Sequence, residues 1–185
     1  MQCALPHLRN PVVVLSGPTR GVGTSFLAVN LAALVAAGGK RVLLVDANLR
    51  HGRLHRYFDQ QPGMGLAEIL AGMLAARLAI RRNVLDRLDF IACGAASANR
   101  SEYLQQFNFD ALADHVAGAY DLVLIDAPPL LDQADALVVS ARAGALFLVA
   151  RAGMTTARQI GEAIKRTGQA GVAPCGIVFN AVAAF

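Results

Sequence analysis

The chain has no tryptophan, only three cysteines and only two lysines among its 185 residues, and 16% of those residues are charged. Each shortage excludes something. The cysteines, Cys3, Cys93 and Cys175, are odd in number and far apart. That rules out a disulfide framework and a paired-cysteine zinc site, and it fits a reducing, cytoplasmic compartment. No tryptophan is present, and phenylalanine and tyrosine are not interleaved with basic residues. A stacking platform for nucleic acid is therefore missing, and no nucleic-acid partner is expected. The net charge of +4, carried mainly by fifteen arginines, is mild and suits phosphates or an anionic membrane face. The opening MQCALPHLRN lacks the apolar core of a secretory signal. Residues 21–39 are uncharged for 19 positions, close to the length of a membrane helix. They begin with GVGTS, contain Asn30 and end in Gly38-Gly39, so a buried helix after a tight turn explains them better.

What the chain has in abundance is apolar side chain, 55% of residues by the broad count. A single domain over residues 1–185 buries roughly 70% of the surface its unfolded chain exposes, enough for a core without staples. Candidate strands are 12–16, 42–46, 88–92, 122–126, 146–150 and 176–179, which read as unbroken Val, Ile, Leu and Phe. Such runs mark strands covered on both faces. Between them, 24–37, 66–76, 109–118 and 156–168 show the three-to-four spacing of helices. The alternation predicts an α/β fold, one doubly wound and mostly parallel sheet. No repeat, linker or low-complexity stretch interrupts it.

In such sheets ligands bind beyond the C-terminal ends of the strands, and three ends carry suitable residues. The first is SGPTRGVGTSF, a glycine-rich turn entering a helix. Gly21 and Gly23 allow close approach of the main chain to phosphates, the helix dipole favours an anion, and Ser25 offers a hydroxyl for Mg²⁺. The match to G-x-x-x-x-G-K-[ST] is incomplete: Thr24 stands in the lysine place and Pro18 in that of the first glycine. The second and third ends are Asp46, followed by Asn48 and Arg50, and Asp126, followed by Pro128-Pro129. A lone carboxylate closing an apolar strand is costly unless it is paired, hydrogen-bonded or metal-bound. Two of them beside a phosphate loop point to a Mg²⁺-nucleotide site. The plainer alternatives are an ordinary strand-to-helix turn and two aspartates capping the helices that follow. Their coincidence at three ends favours the ligand.

The segments SGPTRGVGTSFLAVNLA, RVLLVDANLRHGRLHRYF, DFIACG with NRSEYL, YDLVLIDAPPLLDQADA and GIVFNAV occur in that order. Together they resemble the cytoplasmic kinase domain of bacterial tyrosine autokinases of exopolysaccharide and capsule export, within the MinD/ParA-like P-loop proteins. The resemblance covers about residues 2–183. It implies an ATP- and Mg²⁺-dependent kinase whose subunits phosphorylate one another in a homo-oligomer coupled to a membrane chain-length regulator, a polysaccharide co-polymerase. The implied location is cytoplasmic, at the inner face of the plasma membrane. By this resemblance the ATP/ADP-binding Walker A loop maps to Gly17, Pro18, Thr19, Arg20, Gly21, Val22, Gly23, Thr24 and Ser25, with Phe26 a further nucleotide-binding candidate. The A′ motif maps to Asp46-Ala47-Asn48, the Walker B motif to Asp126 and the adenine contact to Asn180. Ser25, Asp46 and Asp126 then hold the metal. Asp46 and Asp126 are the catalytic pair, Asp46 orienting or deprotonating the acceptor tyrosine.

The departures weigh against full activity. Thr24 replaces the loop lysine and Asn48 the second aspartate of the A′ motif. Neither the family's N-terminal E-x-x-R-x-x-R helix nor its tyrosine-rich tail occurs in these residues, and the three tyrosines, Tyr57, Tyr103 and Tyr120, are scattered. A lost charge-assisted hydrogen bond weakens ATP binding by about ten- to a hundredfold, and a missing transition-state donor costs about 10²–10³ in rate. Arg20 lies in the loop but one residue from the place where MinD-like proteins carry an extra lysine. The expectation is thus an ATP-binding protein with impaired catalysis. The alternatives are an inactive nucleotide-binding scaffold of a polysaccharide export complex, or a MinD/ParA-like positioning ATPase. Among weaker signals, His51 and His55 are four apart, but Gly52 and arginines surround them, so a solvated basic face over Arg50, His51, Arg53, His55 and Arg56, or a contact for a neighbouring subunit or the nucleotide, fits better than zinc. Arg77, Arg81, Arg82 and Arg87 read as a solvated helix face and loop.

Overall fold

The computed structural model describes residues 11–95, 116 and 118–182. Seven strands form one sheet: β1 (Val12–Ser16), β2 (Val42–Asp46), β3 (Arg81–Leu85), β4 (Leu88–Ile91), β5 (Leu122–Asp126), β6 (Ala145–Arg151) and β7 (Gly176–Asn180). Their order is β3-β4-β2-β5-β1-β6-β7, and every neighbouring pair is parallel except β3 with β4. The chain winds from β1 towards β2, then crosses back through β5 to β6. The order therefore reverses beside β1, where a doubly wound sheet opens its ligand crevice.

Every residue of β1, β2 and β5 is buried, which is why these strands read as unbroken apolar runs. Alternate side chains serve two cores. Val12, Val14, Leu43, Val45, Val123 and Ile125 join Leu66, Ile69 and Leu70 on one face. Val13, Leu15, Leu44, Leu122 and Leu124 meet Ala28, Val29, Ala32 and Ala36 on the other. Those alanines belong to α1 (Thr24–Ala37), and their small side chains let the helix lie close on the sheet. α1 is 14 residues long, and no described helix is long and apolar enough to cross a membrane. The remaining described helices are α2 (Leu66–Leu70), α3 (Ala76–Ala79), α4 (Asp135–Ser140) and α5 (Ala157–Gln169), with a 3₁₀ turn at Leu54–Phe58. α5 starts at a capping box, in which the Thr156 hydroxyl accepts from the Gln159 N–H.

Two expectations are corrected. The helix expected over 66–76 stops at Leu70, because Gly72 turns to φ 69° and the chain resumes helical form only at Ala76. Arg81 and Arg82 lie on an antiparallel edge strand and not on a helix face. Edge strands accept charged side chains, so β3 lacked the apolar signature of its neighbours. The candidate helix over 109–118 falls almost wholly outside the described residues.

At that edge the side chains build a polar lock. Arg82 Nη1 donates to Asp89 Oδ2 at 2.8 Å and to the Tyr120 hydroxyl at 3.0 Å. Tyr120 donates to Asp89 Oδ2 at 2.6 Å, and the Asn83 N–H donates to Asp89 Oδ1 at 2.8 Å. Burial, then the bond to Asp89, pushes the Tyr120 phenol well above its ordinary range. Arg81 lies 5.8 Å from the Phe90 ring centroid. Asp89→Ala is expected to lower the unfolding free energy by about 2–3 kcal/mol, because it strands the Tyr120 hydroxyl and the Asn83 N–H together. Tyr120→Phe, which removes one partner of a carboxylate that keeps two others, should cost about 1 kcal/mol. Urea unfolding midpoints at unchanged m-value read both, and the reverse ranking would show that Asp89 is not the hub.

Candidate functional site

The site begins with a register. β2 and β5 pair in parallel with Asp46 opposite Asp126, so two carboxylates share one face of neighbouring strands about 4.8 Å apart. Asp46 is 0% exposed and Asp126 2%. Asp46 is met by main chain: Oδ1 accepts the Asn48 N–H at 3.2 Å and Oδ2 the Leu54 N–H at 3.0 Å. Burial still outweighs these bonds and lifts its pKa to about 6. Asp126 Oδ2 accepts the Ser25 hydroxyl at 2.6 Å. Burial, then repulsion from Asp46, lifts Asp126 to about 8, with the Ser25 bond pulling the other way. Gly52 makes this packing possible. A Cβ there would sit 2.6 Å from both Asp46 oxygens and 2.6 Å from Cys93 Cβ, so only glycine lets the segment lie on the carboxylate.

The loop between β1 and α1 forms the other wall. Gly23, at φ 92°, caps α1 with no side-chain hydrogen bond, and no acidic residue stands in the first turn. That arrangement presents main-chain N–H groups and the positive helix end to an anion. The loop carbonyls are tied from behind. Gly17 O accepts the Leu130 N–H at 2.9 Å and Pro18 O the Leu131 N–H at 3.1 Å. Val22 O accepts the Asn180 Nδ2 at 2.9 Å, and Gly21 O accepts Arg151 Nη1 at 3.1 Å. A Cβ on Gly23 would fall where the Asn180 amide sits.

Between the walls lies a cavity of about 470 Å³. Of the residues expected from the sequence, Thr19, Arg20, Gly21, Gly23, Thr24, Ser25, Phe26 and Asp126 line it. Gly17, Pro18 and Val22 lie buried behind the loop, Asp46 lies beneath the floor, and Asn180 braces the loop through Val22. Arg20 is held by Asp132 at 3.3 Å. The lining also includes Asn48, His51, Arg53, Tyr57, Ala127 and Pro129. The sequence reads the basic run that includes His51 and Arg53 as a solvated face or as a contact for a neighbouring subunit or the nucleotide, and it gives Tyr57 no role. Their common signal is position in the segment just after a strand end. Arg151 was missed for a different reason: it closes β6, a strand end that carries no acid.

The donor chemistry fits a hard divalent cation. Ser25 and Asp126 offer oxygen, and burial holds two adjacent carboxylates towards the protonated form, a state that a bound cation would reverse. Among the described residues no three His, Cys, Asp or Glu side chains converge. That suits Mg²⁺, which is held by one or two carboxylates together with substrate phosphates. The glycine-rich loop, open at the helix end and braced from behind, fits those phosphates.

Comparison with known proteins agrees. A family model described as an AAA domain matches residues 12–150. The putative tyrosine-protein kinase EpsB of Ralstonia solanacearum is 46% identical over 182 residues, 98% of this chain but 24% of that protein. The chain thus spans about a quarter of that relative's length. Among solved structures, the kinase domain of the Escherichia coli tyrosine kinase ETK superposes with a TM-score of 0.88 at 34% identity, covering 95% of this chain and 71% of that one. The BceF tyrosine kinase domain gives 0.86 at 45% identity, covering 95% and 70%. The Pyrococcus furiosus cell division ATPase MinD shares the fold, with a TM-score of 0.77 at 22% identity, covering 92% and 72%. With its fold, its paired strand-end aspartates and these matches, the chain belongs to the family of bacterial tyrosine-kinase domains built on the MinD-like P-loop fold.

Proposed function

We propose that this domain binds ATP and ADP with Mg²⁺ and transfers the phosphoryl group to tyrosine slowly, as the catalytically weakened kinase module of an exopolysaccharide or capsule export system. The observation that carries the reading is the 2.6 Å hydrogen bond from Ser25 to Asp126. The metal-side half of a phosphate site is assembled while Thr24 occupies the place of its cation. Relatives named as tyrosine-protein kinases support it. The proposed partners are further copies of the chain and a membrane polysaccharide co-polymerase, at the cytoplasmic face of the plasma membrane.

In this reading the loop from Gly17 to Phe26 cradles the phosphates through main-chain N–H groups, and Ser25 and Asp126 face the cation. When bound, Mg²⁺ neutralises charge that develops on the transferring phosphoryl group. Asp46 adds negative charge from below and anchors the segment 48–54 through its two accepted N–H bonds. Asn48 lines the cavity where the family carries a second aspartate, so one carboxylate is missing on that side. Thr24 and Asn48 together favour a second reading, a nucleotide-binding scaffold that transfers nothing. Incubation with γ-labelled ATP separates the two: slow labelling of tyrosine supports the weakened kinase, and none supports the scaffold.

Calorimetric titration with ADP and with the non-hydrolysable analogue adenylyl imidodiphosphate, with and without Mg²⁺, tests the site itself. Mg²⁺-dependent micromolar binding is the expected result, and no binding up to millimolar nucleotide overturns the proposal. Thr24→Lys should tighten binding by about ten- to a hundredfold, the worth of one charge-assisted hydrogen bond. Unchanged affinity in that variant would mean that position 24 does not face the phosphates.

The raised carboxylates give a pH test. Their pKa values of about 6 and about 8 lie above the unfolded value of 3.8, so between pH 4 and pH 8 the folded chain binds more protons than the unfolded one. By linkage, this pair's contribution to stability is greatest at low pH and is lost as pH rises through 6 to 8. Thermal midpoints without metal should carry a component that falls over that range. Stabilisation by Mg²⁺ with nucleotide should grow over the same range, because the cation favours ionised oxygens. Asp126→Asn should flatten both trends, and a variant that keeps them would assign the titration elsewhere.

A further inference from the structure

We propose that Arg53 supplies, from the opposite wall, the phosphate-facing positive charge that position 24 lacks, and that it acts mainly on the terminal phosphate of ATP. This rests on the nucleotide reading above and deepens it. Four observations converge.

Thr24 lines the cavity in the place of the loop lysine, and neither lysine of the chain is on its lining. Lys40 lies beyond the far end of α1, a helix about 20 Å long, and Lys165 sits on α5. The arginines of the loop side are already committed. Arg20 pairs with Asp132 at 3.3 Å, and Arg151 donates to Gly21 O at 3.1 Å from behind the loop. Arg53 lines the same cavity, and among the described residues its guanidinium has no ion pair and no hydrogen bond. Finally, its base is fixed. The main chain around Arg53 is bonded to the buried Asp46 carboxylate, with the Leu54 N–H at 3.0 Å, and Gly52 is pressed onto the same oxygens.

A long cationic arm on a rigid root therefore faces a concave anion site whose own cation is absent. The geometry also sets which phosphate it meets. The glycine-rich loop and the start of α1 cradle the inner phosphates, as such loops do. A charge carried on the segment after β2 approaches from across the cavity, on the side of the phosphate farthest from the loop. Arginine suits this task, since its planar fork can donate two hydrogen bonds to one phosphate.

The test is a double-mutant cycle by calorimetry on the 185-residue chain with Mg²⁺. The probes are ADP and adenylyl imidodiphosphate, and the proteins are the unaltered chain, Arg53→Ala, Thr24→Lys and the double variant. Arg53→Ala should weaken binding of the triphosphate analogue about tenfold and that of ADP less than about twofold. Arg53→Lys should recover part of the loss. With Thr24→Lys present, Arg53→Ala should cost less than about threefold, because the two cations serve one anion. Equal losses for both nucleotides, no loss for either, or full additivity with Thr24→Lys would each overturn the inference while leaving the nucleotide site in place. If the unaltered chain binds neither probe, the inference and the reading beneath it fall together. Arg53 is exposed, so the thermal midpoint without nucleotide should stay unchanged in Arg53→Ala, which keeps a binding loss distinct from misfolding.

Discussion

Two carboxylates buried side by side at the ends of neighbouring strands are the constraint to which the rest of the site answers. Asp46 and Asp126 are held in register by the parallel pairing of β2 and β5, and neither can leave without unpairing the centre of the sheet. Their mutual repulsion and dehydration are unfavourable, and the surrounding elements respond. Main-chain N–H groups of 48–54 converge on Asp46, the Ser25 hydroxyl turns to Asp126, and Gly52 gives up a side chain to let them approach. A polar arrangement kept at such a cost inside an apolar sheet is the kind that function retains.

The phosphate loop shows the complementary principle, preorganisation. Its carbonyls are bonded to Leu130, Leu131, Arg151 and Asn180, residues more than a hundred positions away in the chain. Each bond ties down an acceptor that would repel an anion. The ordering is completed during folding, so the N–H donors of the loop are fixed before any ligand arrives. Thr24 brings no charge to this loop, whose shape is held by the bonds from behind. Shape and charge are supplied by different residues here, and the two can diverge separately.

The central strands were legible because burial on both faces leaves no room for polar alternation. Asp46 and Asp126 stood out for the same reason, as charges ending runs that otherwise carry none. β3 was illegible because an edge strand with Arg81, Arg82 and Asn83 looks like any solvated surface, and its lock with Asp89 and Tyr120 depends on a partner 38 residues away. The cavity's second wall was half legible. DANLRHGRLHRYF announced a basic segment, yet the bonds from Asn48 and Leu54 to Asp46, which set it across from the glycine-rich loop with His51, Arg53 and Tyr57 on the cavity lining, leave no mark in the sequence. Asn180 was read as an adenine contact, and the structure places its amide on the Val22 carbonyl. The resemblance that singles out Asn180 brings it to the loop without saying which atom it touches.

The strand order carries a consequence for biosynthesis. β1 and β2 precede β5 in the chain, but they never touch as strands, because β5 lies between them. Until residue 126 has left the ribosome, the gap in the middle of the sheet stays open, Asp46 has no neighbour and Ser25 has no acceptor. The phosphate loop waits longer still, for Arg151 and Asn180. Such long-range closure makes for slow folding. It also means that a half-made chain holds the glycine-rich turn without the bonds that shape it.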